Sequence, residues 1–311
     1  MDFHHISVLL NESVEMLKVK PDGVYVDGTL GGGGHSSLIC QSLSDEGLLI
    51  GIDRDTTALT AAGERLSGYN CKKQLVHQNF FEVKSILNQL NISQIDGAIL
   101  DLGVSSPQLD DGERGFSYRK DARLDMRMNR DAELDGWTVV NTYDEKRLAD
   151  IIFKYGEERY ARRIASAIVR ERETSPIDTT IQLAELIKSA FPASAGYGDK
   201  HPAKRTFQAI RIEVNGELDG LDEAVKDFVN SLKKGGRLAV ITFHSLEDRI
   251  VKNAFADLTK GCTCPKDFPI CVCNNKPKAK LVNKKPILAN TEELEKNNRA
   301  HSAKLRVIEK L

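Results

Sequence analysis

The chain has 311 residues, enough for one large domain or two ordinary ones, and at 41% hydrophobic it can bury a sizeable core. No apolar run approaches the ~20 residues that span a bilayer, no basic-then-apolar leader opens the N-terminus, and the six cysteines are not laid out as a secreted disulfide framework, so a cytoplasmic protein without membrane partners is expected. The net charge of −1 excludes a uniformly basic nucleic-acid binder, but residues 252–311 hold 11 Lys and 2 Arg against 2 Asp and 4 Glu, a local +7 that suits either phosphate contacts or a solvated tail.

Val24–Asp27 is an apolar, β-branched run that predicts a strand. Gly28-Thr29-Leu30 and four consecutive glycines follow, and Ser36 then opens a stretch with helical spacing at Leu38, Ile39 and Leu43. Strand, glycine loop and helix in that order build a nucleotide-type pocket. Glycines allow close approach of backbone N–H groups and tolerate positive φ, and the helix N-terminus adds partial positive charge. A second strand, Leu48–Asp53, ends in an acid at roughly the 20-residue spacing expected of a ribose-binding carboxylate. The acid closing the first strand, Asp27, suits a ligand that carries a cation, such as the ammonium and sulfonium of S-adenosylmethionine. The loop lacks the spaced G-x-G-x-x-G of dinucleotide enzymes. A plain tight turn is the bland alternative, but four adjacent glycines are costly in conformational entropy.

Further strands are expected at Gln74–His77 and Gly97–Leu102, with helices between them. That alternation predicts an α/β fold with a parallel sheet covered on both faces. It stops near Pro107. Long helical patterns follow at Asp144–Lys154, Glu157–Glu173 and Thr180–Ala190, which predicts a helical domain inserted over residues 109–205 into a sheet domain formed by residues 1–108 and 206–311. A helix over Glu217–Leu232, stopped by Lys233-Lys234-Gly235-Gly236, leads to a strand over Arg237–Thr242. Alternations near Lys280–Leu288 and Ser302–Ile308 fit a closing pair of strands.

Three constellations carry chemistry. Ser106-Pro107, in the loop after Leu102, resembles the Ser/Asn/Asp-Pro-Pro-aromatic loop of methyltransferases that act on exocyclic base amines. A hydroxyl and a proline-fixed carbonyl there can accept both N–H bonds of a conjugated amine. Gln108 stands where a second proline would be, and a simple Ser-Pro turn fits equally well. Phe243 and His244 follow the fifth strand, at the end where open α/β sheets bind ligands. An aromatic there could stack on a flipped base, while Ser245 with Asp248 approximates a helix-capping box. Cys262, Cys264, Cys271 and Cys273 could form a four-thiolate zinc site, though their spacing is C-x-C rather than C-x2-C. A redox or disulfide role is the other option. Cys40 reads as core.

Together, His5–Glu12, Asp27–Ser36, Asp101–Met128, His201–Arg211, Phe243–Arg249 and Asn297–Arg306 resemble the MraW (RsmH) family over nearly the whole chain. The family consists of bacterial S-adenosylmethionine-dependent methyltransferases acting on the N4 amine of a cytidine in the decoding region of 16S rRNA. The resemblance implies a class I (Rossmann-like) methyltransferase sheet with an inserted helical domain. It implies cofactor contacts at Gly33, Gly34, His35, Asp53, Phe80, Asp101 and Gln108, beside Asp27. It also implies 16S rRNA as partner, within an assembled or assembling small ribosomal subunit, and leaves a homodimer open. The cysteine cluster is not universal in that family, which argues against a catalytic role for it. A dinucleotide oxidoreductase and a non-catalytic ribosome-assembly factor remain the rival readings.

Overall fold

The computed structural model describes residues 7–104, 108, 111–192, 201–262, 264, 273 and 275–311. The chain divides into two compact units, Met1–Gly103 with Gly220–Leu311, and Val104–Asp219.

The first unit is built on a seven-stranded sheet. Its strands in chain order are β1 (Val24–Asp27), β2 (Leu48–Asp53), β3 (Lys72–His77), β4 (Ile95–Asp101), β5 (Leu232–Thr242), β6 (Ala279–Leu281) and β7 (Lys304–Lys310), and they lie in the order β3-β2-β1-β4-β5-β7-β6. The first five run parallel, while β7 is antiparallel to both β5 and β6. This is the class I methyltransferase sheet. The central strands are buried on both faces, which is why β2 and β4 read as continuous apolar runs rather than as alternations. β3 lies at the edge and buries no residue, with Lys72, Gln74, Leu75 and His77 exposed.

Helices α1 (Leu10–Leu17), α2 (Gly34–Ser42), α3 (Thr56–Leu66) and α4 (Val83–Gln89) belong to this unit. The insert unit adds α5 (Gly136–Thr142), α6 (Glu145–Gly156), α7 (Ala161–Arg172), α8 (Thr180–Ala190) and α9 (Lys204–Asn215). The first unit resumes with α10 (Leu221–Ser231) and adds α11 (Ser245–Thr259) and α12 (Thr291–Lys296). Among the described residues no helix is long and apolar enough to cross a membrane.

Several boundaries differ from the sequence expectations, each for a local reason. The Lys233–Gly236 stretch does not separate helix from strand. It bulges out of β5, between the pairs Ile95↔Leu232 and Gly97↔Arg237, with Gly235 at φ +80°. The strand expected over Lys280–Leu288 is shorter: β6 covers three residues, and Ile287 returns as a single bridge to Leu305. The helix expected from Glu157 begins at Ala161, because Glu157 closes α6 in a left-handed conformation at φ +49°.

The second unit runs to Asp219, whereas 205 was the expected end of the insert. Helix α9 accounts for the difference. A Cβ added at Gly156, the last residue of α6, would lie 2.7 Å from the carbonyl oxygen of Arg205, so the two helices meet backbone to backbone. Buried Asn215, at the end of α9, donates to the Met126 carbonyl (2.8 Å) and accepts from the Met128 N–H (2.8 Å). It thereby holds the turn that puts Met126 at φ +62°.

Candidate active site

The C-terminal edge of the sheet gathers the acids that the sequence singles out. Asp27, Asp53 and Asp101 end β1, β2 and β4. Asp27 pairs in register with Gly51 and Ile99, one layer inside the tips of β2 and β4. These acids are close enough to act on one another: the charge of Asp53 raises the Asp27 pKa, and those of Asp27 and Glu247 raise that of Asp101.

Each acid has a different occupation. Asp27 is buried and both of its oxygens are engaged, Oδ2 by the Ser36 hydroxyl (2.7 Å) and Oδ1 by the Thr29 N–H (3.2 Å). It braces the glycine loop against α2. Asp53 accepts the Gly31 N–H at Oδ2 (2.7 Å) and the Asp55 N–H at Oδ1 (2.9 Å). Asp101 differs. Its backbone N–H donates to Thr29 Oγ1 (2.6 Å), Oδ2 stands 3.7 Å from Nδ1 of His35, and Oδ1 is buried with no hydrogen-bond partner. Leaving a buried carboxylate oxygen unmade costs about 1–3 kcal/mol or more. Such an atom is the feature expected where a cationic ligand completes the site. Of the three acids, only Asp101 keeps a buried carboxylate oxygen without a partner.

The glycine loop supports this layout. Gly31 and Gly33 sit at φ +49° and +73°, where a side chain is strained. Gly34 opens α2 against Ser7, whose Oγ would lie 1.8 Å from an added Cβ. His35, in the first turn, is buried and places Nε2 3.1 Å from the Val8 carbonyl. Phe80 is half-buried and makes an edge contact with Phe81, the ring centroids 4.6 Å apart.

At the tip of β5, Phe243 lies over Gly103: a Cβ at Gly103, where φ is +106°, would come within 3.3 Å of the Phe243 ring. His244 has a different duty from the one expected. It is the N-cap of α11, its Nδ1 accepting the Glu247 N–H (3.4 Å), while Glu247 Oε2 accepts the N–H groups of Phe243 (2.8 Å) and His244 (3.3 Å). Its Nε2 is 3.0 Å from Glu247 Oε1, but the angle is wrong for a hydrogen bond and that nitrogen is buried without one. The capping box is thus His244–Glu247, one residue before the expected Ser245–Asp248. Asp248 instead binds Lys304 (3.0 Å) and Arg306 (2.7 Å).

Ser36, Thr29 and Glu247, which the sequence reading did not single out, hold Asp27, Asp101 and the α11 cap. The first two lay inside the glycine motif, and an acid three residues after a strand-end histidine was the available signal for Glu247. Ser106, Pro107 and Cys271 lie outside the described residues, and Gln108 is buried in the second unit. Cys40 is buried in the core, as expected, and burial together with Cys71 pushes its thiol far above the ordinary range.

Residues 2–311 match the model of a family described as the MraW methylase family. The chain belongs to that family. Curated relatives in the family span the same length. "Ribosomal RNA small subunit methyltransferase H" of Brevibacillus brevis is 56% identical over 311 residues, covering 100% of this chain and 99% of the relative. The protein of the same name from Clostridium botulinum strain Kyoto is 57% identical and covers 100% of both. Solved structures overlay far more loosely. An rRNA methylase from Streptococcus thermophilus is 12% identical at a TM-score of 0.42, covering 99% of each chain. A SAM-dependent O-methyltransferase from Thermotoga maritima is 10% identical at 0.41, covering 100% of this chain and 69% of the other.

Proposed function

We propose that this chain transfers a methyl group from S-adenosylmethionine to the N4 amine of a cytidine in the decoding region of 16S rRNA. The observation that carries the cofactor reading is the buried, unpartnered Oδ1 of Asp101 beside a glycine loop with left-handed residues. A buried carboxylate oxygen with no partner fits a ligand with an ammonium and a sulfonium. The names of the full-length relatives support small-subunit rRNA as substrate.

When bound, S-adenosylmethionine supplies an electrophilic methyl group. This chain's residues hold and align. Asp101 faces the cationic part of the ligand. Asp53 keeps the loop closed through Gly31 and presents its remaining lone pairs to ribose hydroxyls. Phe243, held over Gly103, offers a ring face on which a base can stack. Since His244 is committed to the helix cap, base holding rests on Phe243. Ser106 and the Pro107 carbonyl accept the two N–H bonds of the amine. Alignment is the main contribution, because an in-line displacement rewards geometry. The methylated amine is far more acidic than the starting one, so its proton leaves late and needs no strong base.

The test is methylation of purified small subunits and of naked 16S rRNA with labelled S-adenosylmethionine, followed by nucleoside analysis. N4-methylcytidine from the intact chain and none from Asp101→Ala is the expected result. Label in a different nucleoside, or equal label with Asp101→Ala, overturns the reading.

A further inference from the structure

One motif remains outside the methyl-transfer site. The Sγ atoms of Cys262, Cys264 and Cys273 lie within 4.8 Å of one another, and those of Cys262 and Cys273 are 3.7 Å apart. A disulfide bond is about 2.05 Å long, so that pair is in contact and not bonded. Two sulfurs on one tetrahedral zinc, each about 2.3 Å from the metal, are themselves about 3.8 Å apart.

A second observation concerns how the segment is held. The backbone N–H of Asn275 is directed at Cys273 Sγ, 3.5 Å away. N–H donation to sulfur favours the charged form of the thiol over the neutral one. The Asn275 side chain then donates to the carbonyl of Gly261 (2.8 Å), and the Lys278 N–H donates to the carbonyl of Leu258 (2.9 Å). The thiols therefore stand on two chain ends already stitched together, the exit of α11 and the approach to β6. Three sulfurs within 4.8 Å of one another match the spacing of ligands around one metal ion.

We propose that Cys262, Cys264 and Cys273 bind one soft divalent metal ion, zinc, as thiolates. Binding releases the thiol protons to solvent and changes no oxidation state. The metal closes the chain between α11 and β6 and fixes the course of Lys276 and Lys278, which stay exposed on the approach to β6. This inference does not rest on the methyl-transfer reading.

The experiment uses the full chain, purified with reductant and without chelator. Elemental analysis should give about one zinc per chain, falling at least tenfold in Cys262→Ser and Cys264→Ser. Cobalt(II) added to the metal-free chain should produce a near-ultraviolet thiolate-to-cobalt band with intense tetrahedral visible bands, both lost in Cys273→Ser. Cofactor-product binding, measured calorimetrically with S-adenosylhomocysteine, should be unchanged in all three variants, which shows that they fold. Zinc far below one per chain overturns the proposal. So does zinc that survives in a Cys262→Ser/Cys264→Ser double variant, or a cobalt spectrum indifferent to Cys273.

Discussion

His35 and Asp101 face each other just beyond hydrogen-bond reach: Nδ1 of the histidine stands 3.7 Å from Oδ2 of the aspartate. The Val8 carbonyl can only accept, so the Nε2 lying 3.1 Å from it carries hydrogen. Burial pushes the Asp101 carboxyl well above the usual carboxylate range, and the charges of Asp27 and Glu247 push it further. The ligand-free protein therefore favours the protonated Asp101 carboxyl.

A cationic ligand reverses that preference. It favours ionised Asp101 and expels the proton, so affinity for S-adenosylmethionine should rise as pH rises through the folded-state ionisation of Asp101. Calorimetry in buffers of different ionisation enthalpy should register the released proton. Asp101→Asn should abolish the pH dependence and weaken binding by about 1.4 kcal/mol or more, which is roughly tenfold. A flat pH profile in the unaltered chain, with buffer-independent heats, would refute this.

Asp27 makes a stability prediction. Burial, foremost, raises its pKa to about 6, against the opposing hydrogen bonds from Ser36 and Thr29 and with help from the charge of Asp53. A folded-state pKa above the unfolded one means that the folded state holds the proton more tightly. The Asp27 contribution is therefore full below the unfolded value near 3.8 and is lost as pH rises toward 6. The span corresponds to about 3 kcal/mol. Chemical denaturation from pH 4 to 7 should show this decline in the unaltered chain and a flatter profile in Asp27→Asn.

Gly103 tests the role of Phe243. Alanine there adds strain at φ +106° and presses on the ring at 3.3 Å. Gly103→Ala should cost about 1–3 kcal/mol of stability and lower turnover several-fold at saturating cofactor, while calorimetric cofactor affinity stays within about twofold. Unchanged turnover would remove Phe243 from the base-holding role.

Asp248 ties α11 to β7. Burial alone would raise its pKa, but the hydrogen bonds and charges of Arg306 and Lys304 outweigh that and hold it below the usual range. Its stabilisation is therefore present above the unfolded carboxylate pKa and is lost as pH falls through the folded one. Asp248→Asn should destabilise by about 1–3 kcal/mol at neutral pH, and the gap from the unaltered chain should close in acid. A thermal-unfolding gap independent of pH would contradict the assignment.

Some of the basic side chains are already committed to ion pairs. Lys280 binds Glu309 at 2.8 Å, and in the insert unit Arg211 forms a two-pronged pair with Glu217 at 2.8 Å. Lys276 and Lys278, and Arg162, Arg163 and Lys204 in the insert, are exposed and are the side chains expected to meet phosphates. Neutralising Lys276 and Lys278 should reduce the slope of log affinity for 16S rRNA against log salt by about 1–2, and Lys280→Gln should change it less. Equal slopes in all forms would mark the segment as an ordinary solvated tail.

Sequence made much of the fold legible because the signals were local. A β-branched run, glycines and a helix start in that order can hardly be anything but a strand–loop–helix, and buried parallel strands announce themselves as unbroken apolar stretches. Where expectation and structure part, the deciding contact is distant or offset by one residue. The capping frames His244–Glu247 and Ser245–Asp248 overlap, and only the distant partners of Asp248, Lys304 and Arg306, choose between them. The division of labour between Asp27 and Asp101 was illegible for the same reason: it depends on which oxygens Ser36, Thr29 and Gly31 have already taken. Gly235 looked like a helix stop because lysines and glycines stop helices, whereas its left-handed φ serves a bulge that leaves strand pairing intact on either side.

The place of β7 sets an order of assembly during synthesis. It lies between β5 and β6 in the sheet, yet of the seven strands it is the last to leave the ribosome. Until then β5 has no neighbour on that side and β6 has no partner at all, since its ladder is with β7. The first four strands must likewise wait through the insert of Val104–Asp219 before β5 arrives to cover β4. A nascent chain of this design carries open strand edges for most of its translation. Its pairings are also distant in sequence, which slows closure. The insert is a compact unit in its own right and is complete before β5 is made.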